Sequence, residues 1–299
     1  MSNVIQSCSD PYASRIGETW EAAPRVDPVV WSSRSGAVTD PGLWKYEEDG
    51  YLPFPQLLSQ SEAAECLAEA ESMRQFADQE RPEVISEPQR KEVRTIFRVH
   101  RDNERFRQIC YDRRIVAKVE QILGSEVYIH QSRINYKPAF HGKEFFWHSD
   151  FETWHVEDGM PRIRAVSVSI SLTDNHEFNG PLMLIRGSHR YFIRCVGETP
   201  DNHYQTSLKK QEFGVPCRQA IEFLSGHGDI DAPKGGPGSA LFFDSNTMHG
   251  SVGNLSPTPR TNLFVVYNSV ENRLVEPFGG SSARPDFLAE RNVGDLQSV

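Results

Sequence analysis

Two histidines and one carboxylate have a spacing that suits a metal site. The run FWHSDFETWH places His148 and Asp150 two positions apart, and residues with this spacing share a face only where the backbone is extended. A third candidate is His249, which follows an apolar, strand-like run and precedes a glycine. Two histidines and a carboxylate on one side of a metal leave positions open for other ligands, as in non-haem Fe(II) oxygenases.

An arginine follows the second histidine at a spacing that would let it bind the far end of a co-substrate that chelates the metal. Arg260 lies 11 residues beyond His249, after a turn that contains Pro257 and Pro259. A hairpin there would bring the guanidinium back towards the histidine, and its planar fork can bind a carboxylate through two hydrogen bonds. The ordered set therefore predicts an Fe(II) site that uses an α-keto acid such as 2-oxoglutarate, with O2 as the second co-substrate.

Ordinary structural interpretations remain open for each of these residues. An isolated His-x-Asp pair most often makes hydrogen bonds in a loop, and a single arginine is most often a solvated charge. Aromatic residues at a strand end, here Phe146, Trp147, Phe151 and Trp154, usually pack in the core. Two alternatives from other classes use the same ligands: a zinc hydrolase, which the general order of metal affinities favours, and a non-catalytic cupin-like binding module.

Composition and charge restrict the possible partners. The 299 residues include 32 Lys and Arg against 41 Asp and Glu, a formal net charge of −9, which argues against nucleic acid or an anionic membrane as the main partner. No signal-peptide pattern and no long apolar segment is present, so we expect a cytoplasmic protein. The five cysteines form no CxxC pair, so neither a disulfide framework nor a cysteine-based zinc site is predicted.

The distribution of strand and helix patterns predicts a mainly β protein with flanking helices. Many short strands between Gly, Pro and Asn turns favour a sandwich or jelly roll. We expect one domain over 1–299, made of an arm over the surface (1–40), a helix-rich flank (about 43–123), a β core (about 125–272) and a tail (273–299).

Local signals predict where some of these elements begin and end. In the flank, a helix should start at an N-cap Ser59 or Ser61, residues 81–92 read as a loop, and one charged helix should cover about 103–123. Within the β core, the polar stretch 194–238 interrupts the strand pattern. Insertions of this length are usually lids or binding loops.

Several runs resemble the phytanoyl-CoA dioxygenase superfamily and, within it, the ectoine hydroxylases. They are FFWHSDFETWHVEDGMPRIRA, QSRINYKPAF, NGPLMLIRGSH, FFDSNTMHGSVGN and PRTNLFVVYN, together with DPYASR near the start and ENRLVEPF near the end. The resemblance covers nearly the whole chain. It implies a double-stranded β-helix (jelly roll, cupin-like) core, a homodimer, and hydroxylation of ectoine to 5-hydroxyectoine with release of succinate and CO2.

The resemblance also implies roles for individual residues. The iron ligands would be His148, Asp150 and His249. The contacts for 2-oxoglutarate would be Lys137, Asn135, Ser251 and Arg260. The ectoine pocket would include Gln131, Thr153, Trp154 and Phe264, together with Phe243 or its neighbour Phe242. An intact Asp150 favours hydroxylation over halogenation. The alternative substrates within the superfamily are another small amino-acid derivative or a CoA thioester, and the acidic net charge argues against the CoA thioester, whose phosphates would need a basic surface.

Overall fold

A computed structural model describes residues 10–32, 35–87, 92–200, 202, 204–208 and 213–292 of the chain. Its centre is a jelly roll made of a seven-stranded and a four-stranded antiparallel sheet, accompanied by a two-stranded ribbon. Helices flank the larger sheet. The predicted fold class, mainly β with flanking helices, is therefore confirmed. Within the described residues, no helix is long and apolar enough to cross a membrane.

Every pair of neighbouring strands runs antiparallel. In spatial order, the large sheet consists of β2 (Tyr51–Phe54), β11 (Ala240–Asp244), β7 (Ala165–Ser171), β13 (Arg260–Ser269), β5 (Val127–Lys137), β4 (Val93–Phe97) and β3 (Val84–Ser86). The small sheet consists of β10 (Ile230–Asp231), β8 (Leu182–Ile185), β12 (His249–Ser251) and β6 (Phe145–His148). The ribbon pairs β1 (Glu21–Pro24) with β9 (Tyr191–Arg194).

The large sheet has one apolar face and one face that carries many polar residues. On β13, Leu263, Val265 and Tyr267 belong to the main hydrophobic core, which includes residues from the flanking helices. The intervening Asn262 and Phe264 point the other way, because side chains alternate along a strand. The second face is the inside of the jelly roll, so its polar residues are buried in the molecule.

The helices that cover the outer face begin at recognisable caps. They are α1 (Asp40–Asp49), α2 (Gln60–Gln75), α3 (Val99–Asp102), α4 (Glu104–Cys110) and α5 (Arg113–Leu123). Ser59 is the N-cap of α2, where it forms a capping box with Glu62. The single helix predicted over about 103–123 is wrong: α4 ends before Asp112, whose carboxylate accepts a hydrogen bond from the Arg114 amide and caps α5.

The stretch 194–238 contains packed structure as well as polar loops. Its helices are α7 (Tyr204–Ser207) and α8 (Arg218–Ser225). Ala220 and Leu224 on α8 are buried against Ile185 and Met248, and strand β10 pairs with β8. The second half of the insertion is therefore built into the small sheet, while 201, 203 and 209–212 lie outside the described residues. The loop predicted at 81–92 likewise contains the short strand β3.

Residues near both ends of the described chain are buried and contact the jelly roll. Tyr12 and Arg15, predicted to lie in an arm over the surface, are buried, because their side chains pack and pair with residues that follow Asp150. Near the other end, Leu288 is fully buried and the Glu290 amide donates to the carbonyl of His130. The arm and the tail therefore contact the same part of the jelly roll as the predicted site.

Candidate active site

The predicted metal ligands lie together at one end of the small sheet. Strand pairing places His249 on β12 directly opposite His148 on β6, and Asp150 begins the short helix α6 (Asp150–Thr153). The Nε2 atom of His148 is 3.6 Å from Oδ1 of Asp150, and Nε2 of His249 is 3.8 Å from its Oδ2. Two ligands that bind one ion at about 2.1 Å are at most about 4.2 Å apart, so these spacings fit a shared metal ion.

Backbone carbonyls orient both imidazoles towards this point. Nδ1 of His148 lies 2.7 Å from the carbonyl oxygen of Phe146, and Nδ1 of His249 lies 2.9 Å from that of Thr247. Because a carbonyl can only accept, both Nδ1 atoms carry the proton and both Nε2 atoms keep a lone pair. This second hydrogen bond is typical of histidines that bind a metal.

Burial and local charges keep His148 and Asp150 in the forms that bind a metal. Burial, with a contribution from His249, lowers the pKa of His148 to about 4, so the ring is neutral near pH 7. Burial alone would raise the pKa of Asp150, but the two histidines, Arg133 and the Ser167 hydroxyl together hold it below its usual value. A neutral imidazole from His148 and the carboxylate of Asp150 are therefore available to a divalent cation.

A pair of buried cations lies next to the metal ligands along the sheets. Lys137 on β5 is directly opposite Arg260 on β13, and each is about 2% exposed. The Lys137 ammonium donates to the Ser251 hydroxyl at 2.7 Å and to the Val252 carbonyl at 2.6 Å. Ser251 lies two residues beyond His249 on β12, so this hydrogen bond connects Lys137 to the strand that carries a metal ligand.

These two cations have no carboxylate partner within the part of the chain that the structure describes. Nε and Nη1 of Arg260 are buried without a hydrogen bond. Burial, reinforced by Arg260 and Arg94, lowers the pKa of Lys137 to about 5, and burial lowers that of Arg260 to about 10. Buried donors left without a partner are costly, so this pair is suited to a small dianion.

Aromatic residues form the neighbouring wall. Phe243 packs with Phe264, and its ring centre is 5.0 Å from that of His249. Phe242 points to the opposite face of β11, where it contacts Phe54 in the main core. Strand alternation therefore decides between the two phenylalanines, and it is Phe243 that faces the candidate site.

The other predicted pocket residues lie at the end of α6, directly after it, or on β5. Trp154 is buried with its ring centre 5.0 Å from that of His130, and Thr153 at the end of α6 is partly exposed. The Gln131 amide nitrogen donates to the Leu288 carbonyl at 2.7 Å.

Asn135 shares the inward face of β5 with Lys137. Its side-chain oxygen accepts a hydrogen bond from Thr95 at 3.0 Å. Polar groups of Gln131 and Asn135 are therefore already bonded within the protein.

One residue of the site, Arg133, was absent from the prediction. It is two positions from both Gln131 and Asn135 on β5, its guanidinium lies 5.1 Å from the ring centre of Phe264, and its charge lowers the pKa of Asp150. It also donates a hydrogen bond to the Gln131 oxygen. The signal was present in the sequence: QSRINYK puts a second cation in register with Lys137 on a strand that must be buried.

Comparisons with known proteins agree with this geometry. The family model for phytanoyl-CoA dioxygenase (PhyH) matches residues 46–262. The chain therefore belongs to the phytanoyl-CoA dioxygenase family, as the sequence runs predicted. Within it, the chain is 52% identical to the ectoine dioxygenase of Bordetella bronchiseptica over 293 residues, which covers 97% of this chain and 95% of the relative.

Two solved structures of EctD from S. alaskensis have the same fold. One was solved with 2-oxoglutarate and 5-hydroxyectoine; it is 42% identical, has a TM-score of 0.86, and covers 94% of this chain and 95% of its own. The other was solved with bound Fe, with 41% identity, a TM-score of 0.84 and coverage of 97% and 98%. The structural similarity thus extends over nearly the full length of both chains.

The unpartnered Arg260 leads to a prediction about stability. Replacing it by methionine should raise the free energy of unfolding of the ligand-free protein by about 1–3 kcal/mol, because a buried charge without a partner is removed at similar volume. The matched control is Arg94→Met, which should lower stability, because Arg94 is equally buried but pairs with Glu87 at 3.1 Å. Chemical denaturation measures both, and a loss of stability in both variants would contradict the interpretation.

Proposed function

We propose that this chain hydroxylates ectoine to 5-hydroxyectoine, consuming 2-oxoglutarate and O2 and releasing succinate and CO2, with Fe(II) bound by His148, Asp150 and His249. The observation that carries the proposal is the His-Asp-His cluster beside two buried cations that have no carboxylate partner. The comparisons confirm the enzyme class and the substrate: a relative 52% identical over the full length is an ectoine dioxygenase, and EctD was solved with 2-oxoglutarate and 5-hydroxyectoine.

The three ligands would hold iron through one face and leave the other face to the co-substrates. Iron bound in this way supplies the oxidative chemistry, while the protein supplies orientation and exclusion of water. The hydrogen bonds that the rings donate to the carbonyls of Phe146 and Thr247 fix the rings, and Ser167 donates to Asp150 at 3.2 Å. The ligand geometry is therefore set before the metal binds.

The two buried cations would bind 2-oxoglutarate. The Arg260 guanidinium would bind the distal carboxylate, because two of its buried nitrogens, Nε and Nη1, have no hydrogen-bond partner among the described residues. Lys137 and Ser251, which already share a hydrogen bond, would add donors, and Asn135 lies next along β5. A bound dianion would supply the negative charge that Lys137 and Arg260 lack in the ligand-free protein. Its binding would therefore offset the free-energy cost of burying these two groups without a carboxylate partner.

Ectoine would bind on the side of the iron lined by aromatic rings. It is a small zwitterion with a delocalised amidinium ring, and the faces of Phe243, Phe264 and Trp154 can attract such a cation. Its carboxylate needs a cation in turn, and Arg133 beside Phe264 provides one. Gln131 and Thr153 can form hydrogen bonds with its polar groups.

The predicted homodimer and the predicted cytoplasmic location stay predictions. Neither bears on the chemistry of the site, since all the residues named above come from one chain.

The first test combines reaction and substrate in one assay. Protein reconstituted anaerobically with Fe(II) is exposed to O2 with 2-oxoglutarate and ectoine, and succinate and 5-hydroxyectoine are followed together. We expect both products in equal amounts. Succinate without 5-hydroxyectoine would retain the enzyme class and reject ectoine; neither product from iron-loaded protein would favour a zinc hydrolase or a binding module.

The ligand assignment predicts the behaviour of three variants. His148→Ala, Asp150→Ala and His249→Ala should each remain folded, lose most of the bound iron and abolish turnover, because two ligands hold a metal poorly. Iron content and circular dichroism measure this. The control is His227→Ala, which removes an exposed histidine outside the site and should leave iron content at the wild-type level. Unchanged iron in all three ligand variants would refute the assignment.

The lowered pKa of Lys137 predicts proton uptake when 2-oxoglutarate binds. In the ligand-free protein this amine, with a pKa of about 5, is neutral at pH 7, and a bound dianion favours its charged form. At pH 7 binding should therefore take up close to one proton, and the affinity for 2-oxoglutarate should fall as the pH rises above about 5.

Calorimetry in two buffers of different ionisation enthalpy measures this uptake on anaerobic, Fe(II)-loaded protein. Lys137→Met should bind 2-oxoglutarate more weakly and without proton uptake. Absence of uptake in the wild type would mean that Lys137 is already charged or does not contact the dianion.

A further inference from the structure

We propose that Arg15, from the N-terminal arm, is a positioning residue of the active site. It binds Glu152 and Glu157, and in doing so holds a π-helical turn that places Thr153 and Trp154 beside the substrate. The inference rests on the proposed function, because those two residues are assigned there to the ectoine pocket. It concerns substrate placement and leaves iron binding to the three ligands already described.

The contacts of Arg15 are close and almost completely buried. Its Nε and Nη2 donate to the two carboxylate oxygens of Glu152 at 3.0 and 2.6 Å, and its Nη1 donates to Glu157 at 2.7 Å. The side chains of Arg15, Glu152 and Glu157 are 2%, 2% and 5% exposed. One guanidinium therefore bonds to two buried carboxylates, with further support from the Ser14 hydroxyl on Glu152 and from Arg284 near Glu157, and loss of the guanidinium would be costly.

The spacing of the two glutamates requires an irregular helix. On a regular α-helix, residues five apart lie about 140° away from each other around the axis, too far for one guanidinium to bind both. Here the turn Trp154–Asp158 is π-helical, and the Gly159 amide bonds to the carbonyl of Trp154, five residues earlier. The wider turn brings Glu157 back to the side of Glu152. Such turns are rare and occur frequently at functional sites.

The residues between the two glutamates are those of the proposed substrate wall. Thr153 and Trp154 directly follow Glu152, so their direction depends on whether the chain continues as an α-helix or widens into the π-helical turn. Asp150 has separate supports, since Ser167 donates to its carboxylate and the Phe151 amide donates to the Ser245 carbonyl. Loss of the Arg15 contacts should therefore displace Thr153 and Trp154 while Asp150 stays in place.

Residues outside the helix also fix the position of Arg15. Its amide donates to the carbonyl of Cys195 at 2.9 Å, and its Nη1 also donates to Thr199 at 2.7 Å. Its φ of 59° is in the left-handed region, which a residue with a Cβ rarely occupies and which persists where the surroundings enforce it. A methyl group added at Gly214 would lie 2.2 Å from Nη2 of Arg15, so the guanidinium is enclosed by the segment that follows β9.

Two variants test the proposal. Arg15→Lys keeps the charge but replaces the fork with a single ammonium, and Glu157→Gln keeps the shape of the side chain but removes the charge that pairs with Arg15 and, at 3.9 Å, with Arg284. The control, Arg162→Gln, removes a half-exposed arginine that anchors the same arm through Asp27 without touching the π-helical turn.

In both test variants, iron content and 2-oxoglutarate affinity should match the wild type, whereas the KM for ectoine should rise about tenfold to a hundredfold, as expected for a misplaced binding group. The yield of 5-hydroxyectoine per succinate should also fall, because the iron chemistry continues while the substrate is badly placed. Arg162→Gln should change neither value.

A readout that does not need activity is the ¹⁹F NMR spectrum of protein labelled with 5-fluorotryptophan, with the Trp154 signal identified from Trp154→Phe. That signal should move in Arg15→Lys and Glu157→Gln and stay in place in Arg162→Gln.

Four outcomes separate the possibilities. An unmoved Trp154 signal, or a lower melting temperature with unchanged KM and product yield, would show that Arg15 only stabilises the fold and would overturn the proposal. If Arg15→Lys does not fold, Glu157→Gln decides by the same measurements. Wild-type protein that makes no 5-hydroxyectoine would refute the proposed function, and the Trp154 signal would then decide the positioning role alone.

Discussion

The antiparallel register of two strand pairs is the constraint on which the site depends. Opposite residues on β12 and β6 bring the two histidines together, and opposite residues on β13 and β5 do the same for Lys137 and Arg260. A slip of one residue would turn every inward side chain of a strand to the other face. The register is secured by the apolar residues that alternate with the polar ones, since Ile134, Leu263 and Val265 must remain in the main core.

The same alternation places basic side chains inside the protein. The inner face of the large sheet carries Arg133, Lys137 and Arg260, and burial lowers the pKa of each. A core built for stability alone would not contain such a group. Its presence marks the place where the proposed ligands would supply negative charge.

Segments far apart in the chain complete the site from outside the jelly roll. The arm reaches the helix that follows Asp150 through Arg15, and the tail reaches β5 through the bond between Gln131 and the Leu288 carbonyl. Both segments approach residues proposed to contact ectoine, whereas His148, His249 and Lys137 lie on strands of the two sheets. The iron side of the site is therefore built mainly from the sheets, and the substrate side is assembled partly from peripheral elements.

The sequence by itself determined the family, the mainly β fold and the spacing of the His-Asp-His cluster, because motif spacing and strand alternation are local properties of the chain. It could not choose between Phe242 and Phe243 or exclude a single helix over about 103–123, since the first depends on the register of β11 and the second on Asp112 acting as a cap. The sequence patterns also predicted a surface position for Arg15 and did not identify Arg133 as a residue of the site. Only the tertiary structure decided these points, because partners more than a hundred residues apart, such as Arg15 and Glu152, pair through packing that no local pattern records.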